Sequence, residues 1–131
     1  MRKIIISAII LVILLIIVII LVHKRDTDVY LSLAGYSPYG CIDMQVDIDN
    51  ERVFSDTVSY TAFTPKKINL PMRLGFHRVS VESNSLKIKK DKIIFLFFNQ
   101  FIMIEFHNKA KFVRDNPEFE IRTHFNPFYL E

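Results

Sequence analysis

The sequence predicts an all-β protein, an immunoglobulin-like β-sandwich of about seven or eight strands behind one N-terminal transmembrane helix. Two observations predict this architecture. Residues 4–22 are apolar apart from Ser7, and after Asp26 the apolar residues recur with a period of two. That period is typical of strands that bury one face, and no later segment has the stripe of an amphipathic helix. We therefore divide the chain into a signal anchor, residues 1–25, and an extracytoplasmic β-sandwich domain, residues 26–131.

Residues 4–22 are expected to cross a membrane as one helix. At about 1.5 Å of rise per residue they would cover about 28 Å, which is close to the hydrocarbon thickness of a bilayer. A cleaved signal peptide has a shorter apolar core followed by small residues, whereas this core runs directly into His23, Lys24 and Arg25. We expect an uncleaved anchor that contacts the lipid bilayer through residues 4–22.

Charge separates the anchor from the domain. The formal net charge is +3, and its basic excess comes from the residues that flank the apolar run, which are Arg2, Lys3, Lys24 and Arg25. The domain itself is close to neutral, which argues against a nucleic-acid partner. Positive charges on both sides leave the orientation open, but Asp26 and Asp28 offset the second cluster, and long domains translocate regardless of a few charges. We expect a cytoplasmic N-terminus and a domain in the cell envelope.

The strand pattern is clearest over residues 42–49. Its apolar set is Ile42, Met44, Val46 and Ile48, and its polar set is Asp43, Gln45, Asp47 and Asp49. The Asp49-Asn50 step supplies turn chemistry before the next strand begins at residue 52. Further strands are expected at residues 29–33, 67–70, 76–82, 86–89, 92–98, 101–107 and 119–125.

A hairpin around Asn99-Gln100 predicts the candidate binding surface. If those residues form a two-residue loop, Phe98 pairs with Phe101. Odd and even positions along each strand then project from opposite faces of the hairpin. One face is the expected core and carries Ile93, Phe95, Phe97, Ile102, Ile104 and Phe106. The other face is also apolar, so it needs a cover of its own. Either the stretch 112–129 folds over it, or it contacts a partner through Leu96, Phe98, Phe101 and Met103.

Part of the chain resembles the small β-sandwich modules called PEGA domains. The matching residues are Val46-Asp47-Ile48-Asp49-Asn50, then Thr64-Pro65, then Leu74-Gly75-Phe76-His77-Arg78-Val79-Ser80-Val81. In such modules a strand ends in an Asp-Gly turn, a Thr-Pro step opens the next strand, and a Gly-x-His-x-Val-x-Val strand follows. The resemblance implies an extracytoplasmic structural or binding module without catalysis.

No catalytic or cofactor signature is found, so we expect a protein that is not an enzyme and has no cofactor. Glycine occurs only at positions 35, 40 and 75, which excludes a phosphate-binding loop. The Asp47-x-Asp49-x-Glu51 run departs from a calcium loop at Arg52 and Val58, although a looser site using Asp43 stays open. His77, His107 and His124 have no short ligand spacing, so zinc is not predicted, and one Cys excludes an internal disulfide.

The function expected from these observations is binding or scaffolding of a protein partner, or of a second copy of the chain, in the cell envelope. The alternative is a tethered glycan-binding or peptidoglycan-binding module, which would need exposed aromatic platforms. The candidates for such platforms are Tyr30, Tyr36, Tyr39 and Tyr60. The basic cluster Lys87, Lys89, Lys90 and Lys92 is interpreted as a protected edge strand, because charges there discourage aggregation.

Overall fold

Among the residues that the structure describes, one helix is followed by eight strands. The computed structural model describes residues 2–34, 37, 39–61, 64–108 and 117–125. The elements are α1 (Arg2–Val22), β1 (Arg25–Leu33), β2 (Cys41–Ile48), β3 (Glu51–Ser59), β4 (Lys66–Met72), β5 (Gly75–Ser83), β6 (Ile88–Leu96), β7 (Phe101–Asn108) and β8 (Pro117–His124). The mainly β architecture behind an apolar helix is thus confirmed. The expected strands at 86–89 and 92–98 are one strand, β6.

Helix α1 is apolar on every side. Its span Ile4–Val22 has a mean hydropathy of 3.9, and none of it is buried against the rest of the chain. The β-branched residues that dominate it are modest helix formers in water, but a helix pairs all backbone groups within one segment, as lipid requires. The helix is long and apolar enough to cross a membrane. After His23 and Lys24 the chain enters β1 at Arg25.

The strands form two four-stranded sheets, in the orders β4-β1-β7-β8 and β3-β2-β5-β6. Neighbours are antiparallel except for β1 and β7, which are parallel. The immunoglobulin-like part of the prediction is not confirmed. In a constant-type immunoglobulin domain the first strand pairs with the second, whereas here β1 pairs with β4 and β7.

Both sheets contribute alternate residues to one hydrophobic core. The strand predicted most clearly behaves as expected, because Ile42, Met44, Val46 and Ile48 are all buried. Phe106 lies fully buried on the opposite sheet and meets Phe119 edge to face at 5.7 Å between ring centroids. The period of two in the sequence therefore reports a real division between buried and solvent-facing sides.

A tight turn and a set of side-chain hydrogen bonds fix two connections of the second sheet. Asp49 and Asn50 have φ values of 52° and 68°, which is the geometry of a type I′ turn, and they join β2 to β3 as the sequence predicts. The Asp43 carboxylate accepts hydrogen bonds from the Ser83 hydroxyl and the Asn84 amide, both at 2.7 Å, and from Ser85. The connection between β5 and β6 is thus tied to β2.

The expected hairpin around Asn99-Gln100 is wrong. Strand β6 pairs with β5, and β7 pairs with β1 and β8, so the Asn99-Gln100 segment passes from one sheet to the other. Gln100 stabilises this crossing, because its side-chain carbonyl accepts a hydrogen bond of 2.7 Å from the Phe97 amide. Apolar residues on both faces of this region therefore do not mean a hairpin with two buried faces.

The connections gather at the two ends of the sheet pair. The turn at 49–50, the turn at 73–74, the crossing at 97–100 and the end of β8 lie at the same end as the start of β1. We call this the helix-proximal end, because α1 enters the domain there. It is where the candidate site lies.

Candidate binding surface

Four large apolar side chains are exposed together on the outer face of β5 and β6. Phe76, Ile93, Phe95 and Phe97 have exposed fractions of 76%, 69%, 49% and 49%. Phe76 lies opposite Phe95 in the strand register, and their rings meet edge to face at 4.9 Å between centroids. Phe97 stacks on Phe95 at 6.5 Å. We call this set the aromatic face.

The aromatic face continues toward the start of β1. The Phe97 ring contacts the half-buried Phe98 edge to face at 5.1 Å. The Arg25 guanidinium lies over the Phe98 ring, 4.4 Å from its centroid, in a cation–π contact. Because Arg25 is the first residue of β1, this contact joins the row of rings to the segment that leads into α1.

The exposed apolar residues of the domain are concentrated at the helix-proximal end. Among the described residues after α1, the large apolar side chains that are exposed are Tyr60, Phe76, Ile93, Phe95, Phe97 and Phe125. All but Tyr60 lie near that end, where β5 begins and where β6 and β8 end. The Arg78–Asp91 ion pair, 3.8 Å long, borders the aromatic face on its polar side. Contiguous exposed apolar patches on small domains usually mark an interaction site.

The four contact residues expected from the sequence do not form one surface. Leu96 and Phe101 are buried in the folded domain, with exposed fractions of 2% and 5%, and Phe98 and Met103 are half-buried. Met103 lies on β7, in the other sheet from Leu96, and Phe98 lies in the crossing between the two sheets. Burial of Leu96 and Phe101 leaves neither available at the surface.

Strand β6 buries the opposite set of alternate side chains from the set expected to face the core. Ile94 and Leu96 face the core, and Ile93, Phe95 and Phe97 face outward. The sequence carries no clear signal for this parity, because charged residues occupy both faces of β6, with Lys89 and Asp91 on one and Lys90 and Lys92 on the other. The expected parity depended on the hairpin, which tied the faces of β6 to those of β7.

A second feature of this end is a cavity of about 390 Å³ beside His77. The His77 ring is buried, and its Nδ1 lies 2.6 Å from a carboxylate oxygen of Asp49. Its Nε2 donates to the Arg73 carbonyl at 2.8 Å. Both ring nitrogens are therefore engaged by the protein, and the residues that line the cavity include no serine, threonine or cysteine. This arrangement ties two turns together.

The acidic row considered for calcium is divided among separate partners. Asp43 binds the 83–85 segment, Asp47 pairs with Arg52, and Asp49 pairs with His77. Hydrogen bonds from Arg52 and its charge outweigh the effect of burial and lower the pKa of Asp47. Within the part of the chain that the structure describes, these three carboxylates do not converge on one point.

The tyrosines expected to form a glycan platform are dispersed. Tyr30 meets Phe101 edge to face at 5.2 Å, and Tyr39 packs against Phe106 in the core at 5.9 Å. Tyr60 is exposed beyond the end of β3, far from the helix-proximal end. Tyr36 lies outside the described residues. The described tyrosines therefore do not line a common groove.

The basic cluster lies on an edge strand, as expected. Strand β6 ends its sheet, and two of its lysines reach across to β8, the edge strand of the other sheet. Lys90 pairs with Glu118 at 3.1 Å, and Lys92 donates to the Ile121 carbonyl at 2.8 Å. These contacts cover two neighbouring sheet edges with charged side chains.

Comparison with known proteins gives no relative for this chain. No family model, no curated protein and no solved structure matches it. The geometry of its own residues is therefore the basis for a function.

Proposed function

We propose that the protein is a membrane-anchored, non-catalytic binding or scaffolding protein of the cell envelope, and that the aromatic face contacts a protein partner. The observation that supports this most directly is the exposure of Phe76, Ile93, Phe95 and Phe97 side by side at the helix-proximal end. The orientation, with the domain outside the cytoplasm, belongs to the same proposal. So does the PEGA-like class of module, because an extracytoplasmic module without catalysis agrees with an exposed apolar surface.

The composition of the aromatic face suits protein recognition. Aromatic side chains bring a large contact area and have only two χ angles to restrict on binding. Here the rings already pack against one another, so little rotamer freedom is left to lose. The ion pair of Arg78 with Asp91 borders the apolar centre with charges of both signs. An apolar centre with a polar rim is the usual anatomy of a protein–protein interface.

The position of the aromatic face defines what kind of protein could reach it. Phe95 lies near the end of β6, Phe97 follows directly after the strand, and the row of rings continues through Phe98 to Arg25. Only His23 and Lys24 separate Arg25 from α1. If α1 is in the bilayer, the aromatic face is close to the membrane surface. The partner we propose is therefore a protein that is embedded in the same membrane.

Site-specific photocrosslinking tests this proposal. A benzoylphenylalanine replaces Phe95 in the full-length chain, and the matched control carries it in place of Thr57, an exposed residue on the outer side of β3 in the same sheet. We expect a single protein adduct from position 95 and none from position 57. Mass spectrometry should identify the adduct as a membrane protein.

A second variant makes the result specific to the aromatic face. Adding Phe76→Ser and Ile93→Ser beside the crosslinker at position 95 removes the neighbouring apolar contacts and leaves the core intact. The adduct should then disappear. Adducts with lipid alone would show that the aromatic face lies on the bilayer, and a protein adduct that survives both substitutions would refute a specific interface.

A further inference from the structure

A histidine and two glutamates meet on the outer face of the other sheet. Glu105 and His107 are two residues apart on β7, so their side chains project from the same face. Glu120 lies directly opposite Glu105 on β8. The His107 Nε2 atom is 2.9 Å from Glu120 Oε2 and 3.2 Å from Glu105 Oε2. One side-chain ligand atom from each of the three residues lies within 4.8 Å of the others.

The histidine of this cluster is nearly enclosed. The side chain of His107 is 11% exposed, and both glutamates are partly buried. A cavity of about 150 Å³ adjoins the cluster and is lined by His107 and Glu120 together with Lys90, Lys92 and Glu118. The cluster therefore differs from a solvated row of surface carboxylates, and it has room beside it for a bound water molecule.

One imidazole nitrogen and two carboxylate oxygens form a donor set that suits a divalent transition metal. Catalytic-type zinc sites use three protein ligands from histidine and carboxylates and leave the fourth position to water. Bonds of about 2.0–2.1 Å in a tetrahedral site place ligand atoms about 3.4 Å apart. The two distances from His107 Nε2 are shorter than this by only a few tenths of an ångström. Small side-chain rotations would open the cluster to the ion.

Each of the three basic side chains beside the cluster, Arg122, Lys90 and Lys92, has a protein partner of its own. Arg122 lies 2.5 Å from Glu120 Oε2 and holds that carboxylate in place, while Lys90 pairs with Glu118. A carboxylate oxygen has more than one lone-pair site, so the ion pair with Arg122 does not by itself exclude coordination by Glu120. Glu105 pairs with His107 among the described ion pairs.

A buried hydroxyl beside the cluster is a second observation. Ser32 on β1 lies opposite Glu105 in the strand register. Its oxygen is buried and has no hydrogen-bond partner among the residues that the structure describes. Buried polar atoms of this kind call for a partner. A metal-bound water, or a Glu105 carboxylate drawn toward an ion, would supply one.

We propose that Glu105, His107 and Glu120 bind one divalent transition-metal ion, with Zn²⁺ as the reference ion. The imidazole ligand favours zinc over calcium and magnesium, which prefer oxygen ligands alone. Because the ligands come from β7 and from the edge strand β8, the ion would cross-link these two strands. The site is independent of the aromatic face, and neither proposal requires the other.

Metal titration of the full-length chain in detergent tests the proposal. After treatment with a chelator, calorimetric titration with Zn²⁺ should show one ion bound per chain, and Co²⁺ should give the visible absorption of a four- or five-coordinate site. His107→Gln should weaken Zn²⁺ binding at least about 10-fold, since even loss of a residue that only supports a ligand has that effect. Glu105→Gln, which has nearly the same shape, should do so as well.

The control is His124→Gln, a second histidine that stacks on Phe101 outside the cluster. It should bind Zn²⁺ as the parent chain does. Circular dichroism establishes whether each variant is folded. If His107→Gln is unfolded, Glu105→Gln is used as the test variant in its place. Failure of the parent chain to bind Zn²⁺ would overturn the proposal. Equal affinity in the parent chain and both cluster variants would overturn it too, because the ion would then bind elsewhere.

Discussion

The Asp49 carboxylate and the His77 ring form a 2.6 Å contact that holds two turns of the helix-proximal end together. Asp49 lies in the turn between β2 and β3, and the other nitrogen of His77 donates to Arg73 between β4 and β5. Asp49 and His77 belong to the same sheet, and the bond to Arg73 extends this link to the connection that arrives from β4 of the other sheet. Burial raises the pKa of Asp49, but hydrogen bonds from His77 and the Arg78 amide, with the charge of His77, lower it below its ordinary value.

Asp49→Ala should destabilise the domain by about 1–2 kcal/mol, because it removes a charge-assisted hydrogen bond to a buried ring. We place the loss in this range because the Asp49 side chain is itself partly exposed to water. Chemical unfolding of the full-length chain in detergent, followed by tyrosine fluorescence, measures the change. Asn50→Gly is the matched control, since glycine accepts the φ of 68° at that position. Equal losses in both variants would show that the turn alone, not the His77 contact, is what matters.

Asp43→Asn should reduce stability at neutral pH and flatten its pH dependence. Burial raises the pKa of Asp43, but hydrogen bonds from Ser85, Ser83 and the Asn84 amide outweigh this and lower it from 3.8 to about 2. The folded state therefore binds fewer protons than the unfolded state between about pH 2 and pH 4. The stability due to Asp43 is complete above the unfolded pKa and is lost as the pH falls toward 2.

Unfolding free energies at pH 7 and pH 2 test this expectation. Since one pKa unit corresponds to about 1.4 kcal/mol and the carboxylate is partly solvated, we expect Asp43→Asn to cost about 1–2 kcal/mol at pH 7. The two chains should converge near pH 2. A constant difference at both pH values would show that the effect of the substitution is not electrostatic.

Truncation of two adjacent residues of β6 should destabilise the domain by very different amounts. Leu96→Ala should cost about 2–5 kcal/mol, because Leu96 is buried in the core and the truncation leaves a cavity. Phe95→Ala should cost less than about 1 kcal/mol, because its ring is exposed on the aromatic face. Unfolding midpoints of the two variants decide the matter. The reverse order would restore the parity expected from the hairpin.

The single cysteine reports the orientation of the domain. Cys41 is exposed at the start of β2, although free cysteines are among the most buried residue types. With the domain outside the cytoplasm, a membrane-impermeant maleimide should label intact cells. Cys41→Ser should abolish the labelling. Labelling that requires membrane permeabilisation would place the domain in the cytoplasm.

The candidate site could be foreseen only in part. The sequence shows that residues 93–103 hold more apolar side chains than one core face needs, and the structure does expose some of them. Which ones are exposed depends on the partner of β6, and β5 is that partner instead of β7. Similarly, the spacing of Glu105 and His107 is visible in the sequence, but Glu120 joins them only because β8 pairs with β7 in one register.

The sequence by itself determined the apolar helix, the β character of the domain, the turn at Asp49-Asn50 and the buried set of β2. These features depend on the composition of one segment or on the alternation within one strand, and such local patterns can be read along the chain. Tertiary structure alone decided the order of the strands, the outward parity of Phe95 and the meeting of His107 with two glutamates. These features depend on how the strands pair, and many alternative pairings and registers could bury the same apolar residues. A shift of one residue moves every side chain of a strand to the opposite face, so no single segment contains the answer.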